Sequence, residues 1–274
     1  MISSTIQSTN IQSMKLPHFL LFILFCGVMN LQGYPQEIKV MTYNIYHGEN
    51  PYQTGKPNLD GLAKLIHELN PDIVALQEVD SMTNRLTTIY GQKIDLVKEL
   101  AKQTGMQGYF AKAMDYSDGG YGEGILVKRG ADFETQLLPT PKGGEPRSVA
   151  WARLNIDQNT WLVGGTHLCH EYPENRLAQV ASILNFVQGR QDAILWMGDL
   201  NFKPDSEEYR SIPENWLDAG QVAKNTQATY SSESYTGRID YIWYNPEKLE
   251  LISYEVLNKS FSDHYPIIAT FRFK

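Results

Sequence analysis

The stretch IVALQEVD, at residues 73–80, combines an apolar run with a polar ending. The four apolar residues have the length and the β-branched content of a buried strand. The carboxylate of Glu78 follows that run closely. An acid in this position is more often a turn former or a helix cap than a functional group. The stretch alone therefore predicts a buried strand and, at its end, a candidate acid.

Similar apolar runs recur along the chain, and helical periodicities lie between several of them. Each run has strand length and ends at glycine, asparagine, aspartate or a turn cluster. The runs are at residues 38–43, 125–127, 161–164, 194–197, 241–244 and 267–273. The apolar stripes at helical spacing are Leu62, Leu65, Ile66 and Leu69, then Ile94, Val97, Leu100 and Ala101, then Leu177, Val180, Ala181 and Leu184. This mixture predicts an α/β protein with helices packed on sheet faces.

Three polar segments, at residues 48–58, 116–122 and 226–237, are predicted to be loops that line a working surface. No linker rich in proline, glycine or serine divides residues 34–274. These residues are therefore predicted to form a single domain, and we expect a monomer.

The first 33 residues differ in composition from the rest of the chain. Lys15 precedes an apolar run at residues 19–28, which is too short to span a bilayer. The combination is typical of a secretory signal peptide, with cleavage after Gly33 and with Met14 as an alternative start of translation. We therefore expect export to the periplasm, the cell surface or the medium, with no membrane span in the mature chain. A lipid anchor on Cys26 is a weaker alternative, because the residue before it is bulky.

The chain is acidic, with a formal net charge of −7 at neutral pH. An acidic protein is not suited to broad electrostatic capture of nucleic acid, although a local basic cleft is compatible with this charge. Of the two cysteines, Cys26 would leave with the signal peptide. Cys169 would then be a single inert thiol, and stability would depend on the apolar core.

Side chains that can hold metal ions and phosphate follow the predicted strands. These carboxylates, imidazoles and amides are Asn44, Glu78, His167, Asp199, Asn201, Asp240, Asp263 and His264. Hard oxygen ligands with imidazoles, and too few cysteines for a thiolate site, suit a magnesium-type centre better than structural zinc. The set therefore predicts a metal-assisted hydrolytic site.

The motifs around these residues also resemble those of a known family. They are Thr42-Tyr43-Asn44, Leu76-Gln77-Glu78-Val79-Asp80, Thr166-His167-Leu168, Gly198-Asp199-Leu200-Asn201, Arg238-Ile239-Asp240-Tyr241 and Ser262-Asp263-His264. In this order they are similar to the motifs of the endonuclease/exonuclease/phosphatase superfamily, and the likeness is best to a small bacterial branch. The resemblance implies the deoxyribonuclease I-like fold, a four-layer sandwich of two packed mixed β-sheets with helices on the outer faces. It also implies cleavage of phosphodiester or phosphomonoester bonds with Mg²⁺ or Mn²⁺.

The residue types indicate how such a site would work. Glu78, Asn44 and Asp263 are the predicted metal ligands, with Glu78 the leading one. The cation would reduce the repulsion between an anionic nucleophile and an anionic phosphate ester. Asp199 and Asn201, two apart on an extended segment, point the same way. Asp199 would accept a proton from the attacking water or hold a second metal ion, and Asn201 would contact the phosphate or that water.

Two histidines are predicted to act with acidic partners. Asp240 would fix the tautomer of His264 and raise its pKa. By resemblance to the deoxyribonuclease-type branch, Glu123 would be the partner of His167. Paired in this way, the histidines would serve as acid and base, each contributing roughly 10²–10⁴-fold in rate.

Three further residues are candidates for substrate contact. Arg85 would grip a phosphate or, equally, form a salt bridge on a helix surface. Arg147 would contact phosphate, and Tyr121 would stack on a ring of the substrate. His47 and His170 lie on loops beside motif residues; they would either reach the substrate or face solvent, and solvent is the commoner case for polar loop residues and is therefore predicted.

These inferences predict a divalent-metal-dependent hydrolase of phosphate esters, a phosphodiesterase or a phosphomonoesterase, in which water attacks phosphorus. A small-molecule or lipid phosphoester is the expected substrate, and the alternative is nucleic acid cleaved by a secreted nuclease. An inositol-polyphosphate phosphatase is disfavoured because Gly237-Arg238-Ile239-Asp240 stands where that branch has a Cys-Asp-Arg signature. A sphingomyelinase-like enzyme is disfavoured because the sequence has no evident apolar hairpin. The other class of function is a catalytically inactive binding module on the same fold, although every motif residue is present.

Overall fold

The computed structural model describes residue 1 and residues 37–232, 236–259 and 261–274. The predicted signal peptide, the alternative start at Met14, the cleavage after Gly33 and the anchor on Cys26 therefore fall outside the described residues. In the part of the chain that the structure describes, no helix is long and apolar enough to cross a membrane. Export and the one-domain organisation stay predictions.

The described residues form short helices and mostly longer strands. The strands are β1 Glu37–Asn44, β2 Ile73–Ser81, β3 Gln107–Tyr116, β4 Gly119–Val127, β5 Asp132–Leu138, β6 Arg147–Ile156, β7 Asn159–His167, β8 Ala193–Asp199, β9 Leu217–Asp218, β10 Tyr230–Ser231, β11 Thr236–Gly237, β12 Asp240–Tyr244, β13 Leu249–Val256 and β14 Ile267–Phe273. The helices are α1 Leu59–Leu69, α2 Asn84–Tyr90, α3 Leu96–Thr104, α4 Pro173–Val187, α5 Glu207–Ser211 and α6 Ala219–Val222. A 3-10 turn at Tyr46–Gly48 follows β1.

The strands assemble into two six-stranded sheets and one small strand pair. Sheet one has the order β13-β14-β1-β2-β4-β3, sheet two has the order β5-β6-β7-β8-β12-β9, and β10 pairs with β11. Within sheet one, β1 and β2 are parallel, and within sheet two, β7 and β8 are parallel. The other strand pairs are antiparallel, so both sheets are mixed.

Alternation along β1 shows how the layers form. Ile38 and Val40 join a core between the two sheets, whereas Met41 and Tyr43 join a second core under α1 and α3. A third core lies between sheet two and α4, where Val180 is fully buried. Side chains two apart on a strand share a face, so each sheet buries both faces. The predicted four-layer α/β sandwich is confirmed.

The two sheets approach each other closely at a position where a side chain is missing. A Cβ atom built on Gly165, in β7, would lie 2.7 Å from the Cβ atom of Ala75 in β2. No other residue fits that position without moving a strand. This contact lies two residues before His167, so it fixes the separation of the sheets next to the motif residues.

Several strands were not predicted from the sequence. β3 and β13 are the two edges of sheet one, and β5 is an edge of sheet two. Their outer positions are exposed, so polar side chains interrupt the apolar pattern. The predicted loop at 116–122 is also wrong, because β4 begins at Gly119 and the turn is confined to Ser117 and Asp118, both with positive φ.

The predicted apolar stripe of the third helix is wrong as well. Among its four residues only Val180 is buried, and Ala181 is exposed. The buried face of α4 consists of Val180, Ile183 and Val187 together with the amides of Asn175 and Gln179. The Asn175 amide donates to the carbonyl of Gly143 at 2.7 Å, which anchors the helix to a loop through hydrogen bonds.

Candidate active site

The strand directions explain why the polar residues converge. The parallel strands β1 and β2 finish at the same end of sheet one, and the parallel strands β7 and β8 finish at the same end of sheet two. β12 runs antiparallel to β8 and begins there, with Asp240 opposite Asp199. The amide of Asn44, at the end of β1, donates to the Asp199 carboxylate at 3.2 Å. The ends of the two sheets that hold the polar residues are therefore in contact.

A cavity of about 510 Å³ lies where the sheets meet. It is lined by eight of the residues proposed from the sequence, namely Glu78, Tyr121, Arg147, His167, Asp199, Asn201, Asp263 and His264. Behind this lining, three more are buried, namely Asn44, Glu123 and Asp240. Arg85 is not part of the lining. The cavity is also lined by Ile239 of the Arg238–Tyr241 motif and by residues outside the quoted motifs, namely Glu145, His170, Lys203 and Tyr230.

A bulge in β2 turns Glu78 towards the cavity. The pairing of β2 with β4 shifts register between Leu76 and Val79, and Glu78 has a φ of 56°. Its Oε1 atom accepts a hydrogen bond from the Asn44 amide at 3.0 Å. Burial raises the pKa of Glu78, but the surrounding imidazole and amide groups outweigh burial and hold the pKa below its usual range. Glu78 is therefore an ionised carboxylate, suited to hold a cation.

The side-chain amide oxygen of Asn44 is directed at the backbone. That oxygen accepts a hydrogen bond from the backbone N–H of Tyr46 at 3.1 Å, while its amide nitrogen donates to Glu78 and Asp199. In this arrangement Asn44 orients two carboxylates. Asp263 lines the cavity with Glu78, and burial raises the pKa of Asp263 above its ordinary value. Of the three predicted metal ligands, Glu78 and Asp263 therefore offer free carboxylate oxygens to the cavity.

His264 and Asp240 form a carboxylate–imidazole pair. The Nδ1 atom of His264 lies 2.9 Å and 3.2 Å from the two carboxylate oxygens of Asp240. Burial alone would lower the pKa of His264, but Asp240 and Asp199 outweigh burial and raise the pKa to about 10. His264 is therefore an imidazolium at neutral pH, with Nε2 directed at the cavity side.

Asp199 occupies the centre of the polar cluster. One oxygen lies 3.4 Å from Nε2 of His167 and 3.5 Å from Nε2 of His264, and the other accepts the backbone N–H of Asn201 at 3.1 Å. Burial, with a smaller contribution from Asp240, raises the pKa of Asp199. A carboxylate with a raised pKa is better matched to proton transfer near neutral pH than an ordinary aspartate.

His167 has different partners from the predicted one. Its Nδ1 atom lies 3.1 Å from the Arg147 guanidinium, and its Nε2 atom lies 2.9 Å from the Asn201 amide. Burial and the charge of Arg147 lower the pKa of His167 well below its ordinary value. A guanidinium only donates, so Nδ1 accepts from Arg147, and Nε2 lies between a donor, the Asn201 amide nitrogen, and an acceptor, the Asp199 carboxylate at 3.4 Å. His167 is therefore a neutral imidazole.

The predicted pairing of Glu123 with His167 is not formed. Glu123 is fully buried in β4, and within the described residues neither of its carboxylate oxygens has a hydrogen-bond partner. Burial raises the pKa of Glu123 well above its usual range, so the group is a neutral acid. The pairing fails because Arg147 already occupies the Nδ1 side of His167.

Arg147 is held rigidly at the wall of the cavity. The side chain is almost fully buried, and it contacts Glu145 at 2.9 Å and Nδ1 of His170 at 3.1 Å in addition to His167. His170 is exposed, as predicted, and also lines the cavity beside this guanidinium. Arg147 thus places a fixed positive charge at the wall of the cavity.

Arg85 forms the salt bridge rather than the phosphate contact. Its guanidinium makes two hydrogen bonds to the fully buried Asp80, at 2.9 Å and 2.6 Å. It also lies 4.7 Å from the ring centre of Tyr116 and 5.7 Å from that of Tyr121. Arg85 follows Glu78 in the sequence, but its guanidinium pairs with Asp80, which is the nearer carboxylate.

We expect Arg85→Met to lower the free energy of unfolding by about 3 kcal/mol, because the buried Asp80 carboxylate loses its cation. For a small phosphoester, kcat/KM should change less than about threefold, since Arg85 does not line the cavity. Urea denaturation and steady-state kinetics measure the two effects. Arg153→Met, which removes a half-exposed partner of Asp192, should cost less stability. A large loss of kcat/KM with unchanged stability would contradict this assignment.

His47 is buried, contrary to the prediction that it faces solvent. The backbone of Tyr46, His47 and Gly48 is left-handed, with φ of 48°, 43° and 70°. This turn directs the imidazole of His47 back towards Glu78, with Nδ1 3.8 Å from a carboxylate oxygen. No sequence pattern encodes a left-handed turn at non-glycine residues, so burial of His47 was not predictable.

The donor set at the cavity fits a divalent cation. Glu78 and Asp263 present hard oxygen atoms to the same cavity. A tighter group consists of Asp199, Asp240 and His264, whose ligand atoms lie within 4.8 Å of one another. That group is already internally hydrogen-bonded through Asp240 and His264. We therefore assign the Glu78 and Asp263 side of the cavity as the part that fits a resident cation.

Comparison with known proteins agrees with this fold. A model of the endonuclease/exonuclease/phosphatase family matches residues 41–264. A functionally unknown conserved protein from Enterococcus faecalis V583 is 22% identical, with a TM-score of 0.72 over 86% of this chain and 100% of that one. A mannosyl-6-phosphatase from Bacteroides thetaiotaomicron VPI-5482 is 16% identical, with a TM-score of 0.69 over 86% of this chain and 100% of its own.

The human Nocturnin catalytic domain, solved with a bound sulfate anion, is 22% identical, with a TM-score of 0.65 over 88% of this chain and 94% of that domain. At these identities the solved structures establish the fold. No protein in the curated collection that was compared matches the chain.

Proposed function

The chain belongs to the endonuclease/exonuclease/phosphatase family, and we propose from this premise that it is a divalent-metal-dependent hydrolase of phosphate esters. Members of the family include phosphatases, nucleases and phosphodiesterases, and they are generally metal-dependent. We propose Mg²⁺ or Mn²⁺ as the resident ion. The observation that carries the proposal is one cavity lined by carboxylates together with Arg147, His167 and His264.

The charges of the cavity suggest a division of labour. A bound divalent cation would withdraw charge from the phosphoryl oxygens, and Glu78 and Asp263 would hold it. Arg147 and the His264 imidazolium would bind phosphoryl oxygens as the negative charge develops. Asp199, between the two histidines, would accept the proton of the attacking water. The Asp240 carboxylate would keep His264 charged and oriented.

The size and charge of the molecule favour a small substrate. A cavity of about 510 Å³ is in the usual range for small-molecule sites. The net charge of −7 gives no long-range attraction for nucleic acid. We therefore propose a small-molecule or lipid phosphoester, with nucleic acid as the second candidate. The similar mannosyl-6-phosphatase makes a sugar phosphate one reasonable compound to test.

The test is turnover of a panel of phosphoesters that contains nucleic acid, phospholipid head groups, sugar phosphates and inositol phosphates. Each compound is assayed after exhaustive chelation and again with Mg²⁺ or Mn²⁺ restored. We expect hydrolysis of at least one small phosphoester, only with the metal present. Full activity after chelation, or no turnover of any compound with either metal, would refute the proposal.

His167→Ala is expected to slow good and poor leaving groups equally, by about 10²-fold. A neutral imidazole held between Arg147 and Asn201 can contact a phosphoryl oxygen but is a poor source of a proton for the leaving group. This differs from the acid role predicted from the sequence. The measurement compares kcat/KM for a nitrophenyl ester and an alkyl ester of the same phosphate. Selective damage to the alkyl ester would restore the acid role.

We also propose export, because the basic residue Lys15 precedes the apolar run at 19–28. The mature N-terminus should lie near Tyr34, as cleavage after Gly33 would leave it. Mass spectrometry of the secreted or periplasmic fraction measures this directly. An intact apolar run on protein from the cytoplasm would contradict export.

A further inference from the structure

His47 stands out as a buried imidazole with an uncommitted nitrogen atom. The residue is 6% exposed, and among the described residues its Nδ1 atom has no hydrogen-bond partner. That atom lies 3.8 Å from Oε2 of Glu78, which is beyond hydrogen-bonding distance. A buried polar atom left without a partner calls for an explanation, because such a group costs roughly 1–3 kcal/mol.

The other ring nitrogen of His47 determines the state of this atom. Nε2 lies 2.9 Å from Oε2 of Glu49. A carboxylate only accepts hydrogen bonds, so Nε2 carries a proton and Nδ1 is the nitrogen that can offer a lone pair to a cation. The other oxygen of Glu49 accepts from the backbone N–H of Gly55, which keeps Glu49 in place. The lone pair of His47 is therefore held in a fixed direction, next to the Glu78 carboxylate.

A carboxylate that fixes the tautomer of an imidazole, whose second nitrogen is free, is the usual arrangement behind a metal-bound histidine. Two ligand atoms at about 2.1 Å from one ion can be separated by up to about 4.2 Å. The distance of 3.8 Å between Nδ1 of His47 and Oε2 of Glu78 lies within that span.

The backbone supports a functional reason for this position. Tyr46 and His47 are two consecutive non-glycine residues with positive φ. Each such residue costs of order 1–3 kcal/mol and persists where the surroundings enforce it, commonly at functional sites. Without this turn, the chain after β1 would not return His47 to Glu78.

We propose that His47 is a nitrogen ligand of the resident metal ion, with Glu49 as its positioning residue. The inference rests on the proposed metal-dependent function and sharpens it. An imidazole ligand favours a first-row transition ion over Mg²⁺, which prefers oxygen ligands. The centre is therefore selective for a transition ion, for which Mn²⁺ is the probe.

The test uses the full-length protein with Mn²⁺ alone, so that substrate and turnover are not needed. Electron spin echo spectroscopy of the bound Mn²⁺ should show coupling to a histidine nitrogen. That coupling should be lost in His47→Gln and in His47→Asn, the second of which tolerates a left-handed backbone. Glu49→Gln should keep the coupling but weaken the Mn²⁺ affinity by about 10–100-fold in calorimetry.

The matched control is His67→Gln, which changes an exposed histidine of α1. It should leave both the spectrum and the Mn²⁺ affinity unchanged, while Mg²⁺ affinity should fall less than Mn²⁺ affinity in His47→Gln. Absence of nitrogen coupling in the unchanged protein, or its persistence in both His47 variants, would overturn the proposal. Failure of the hydrolase function is a separate result, because it appears as absence of turnover by the unchanged protein with either ion.

Discussion

Glu78→Gln is expected to reduce kcat/KM by about a thousandfold, because the loss of a metal ligand removes several kcal/mol of charge stabilisation in the transition state. The substitution keeps the shape of the side chain and its acceptor oxygen for the Asn44 amide. Calorimetry with Mg²⁺ and Mn²⁺ should show that metal binding is lost, with an affinity too weak to measure at millimolar concentrations of the ion. Kinetics and metal binding should therefore fail together.

Glu145→Gln is the matched control for this experiment. Glu145 is another carboxylate of the cavity lining, but it pairs with Arg147 at 2.9 Å. The Glu145→Gln variant should bind the metal with an affinity close to that of the unchanged protein. Its kcat/KM should fall much less than that of the Glu78→Gln variant. A Glu78→Gln variant that retains both metal affinity and turnover would remove Glu78 from the metal site.

The second large effect concerns Asp240 and His264. His264→Ala should reduce kcat/KM by roughly 10²–10⁴-fold, the range for a positioned imidazole. Asp240→Asn should cost nearly as much, because the imidazolium loses the anion that orients it and keeps it charged. The double variant should be little worse than the worse single variant, since the pair acts as a unit. Additive losses would show that the two residues act independently.

The pH dependence of the same pair has a definite sign. The pKa of His264 is raised to about 10, so its positive charge, and the activity that needs it, persist below that pH and are lost as the pH rises through it. The stability from this charge is likewise complete below the ordinary histidine pKa and is lost towards pH 10. In Asp240→Asn the alkaline limb of the rate profile should move to lower pH. An unchanged limb would exclude His264 as its source.

The motif residues could be located from the sequence because each follows the end of a strand, and the ends of strands lie at the ends of a sheet. The apolar run at 73–76 predicted β2, and Glu78 after it was therefore a candidate acid at the end of a buried strand. The same argument brought His167 and Asp199 together, since both follow buried strands. The likeness of the ordered motifs to a family supplied the layer arrangement, which periodicity alone does not define.

Partners of charged side chains were harder to predict, because they depend on tertiary distances. Arg147 displaced Glu123 from His167, and Asp80 captured Arg85. His47 was hidden by a backbone conformation that its residue type rarely adopts. The edge strands escaped detection for a similar reason, since an exposed edge tolerates polar residues on both faces. Sequence patterns thus located the ends of strands but not the pairing of charges across them.

The tight contact of Gly165 with Ala75 leaves a consequence for ligand discovery. A molecule that binds Glu78 and Arg147 bridges the seam between two halves of one folded body, and neither half alone forms the binding surface. Occupancy therefore opposes unfolding, and a ligand at a hundred times its Kd should contribute about 2.7 kcal/mol. The melting temperature of the slow Asp240→Asn variant can therefore be measured with each member of a library of phosphorylated metabolites. A compound that binds the site, and so a candidate for the unknown substrate, should raise that temperature.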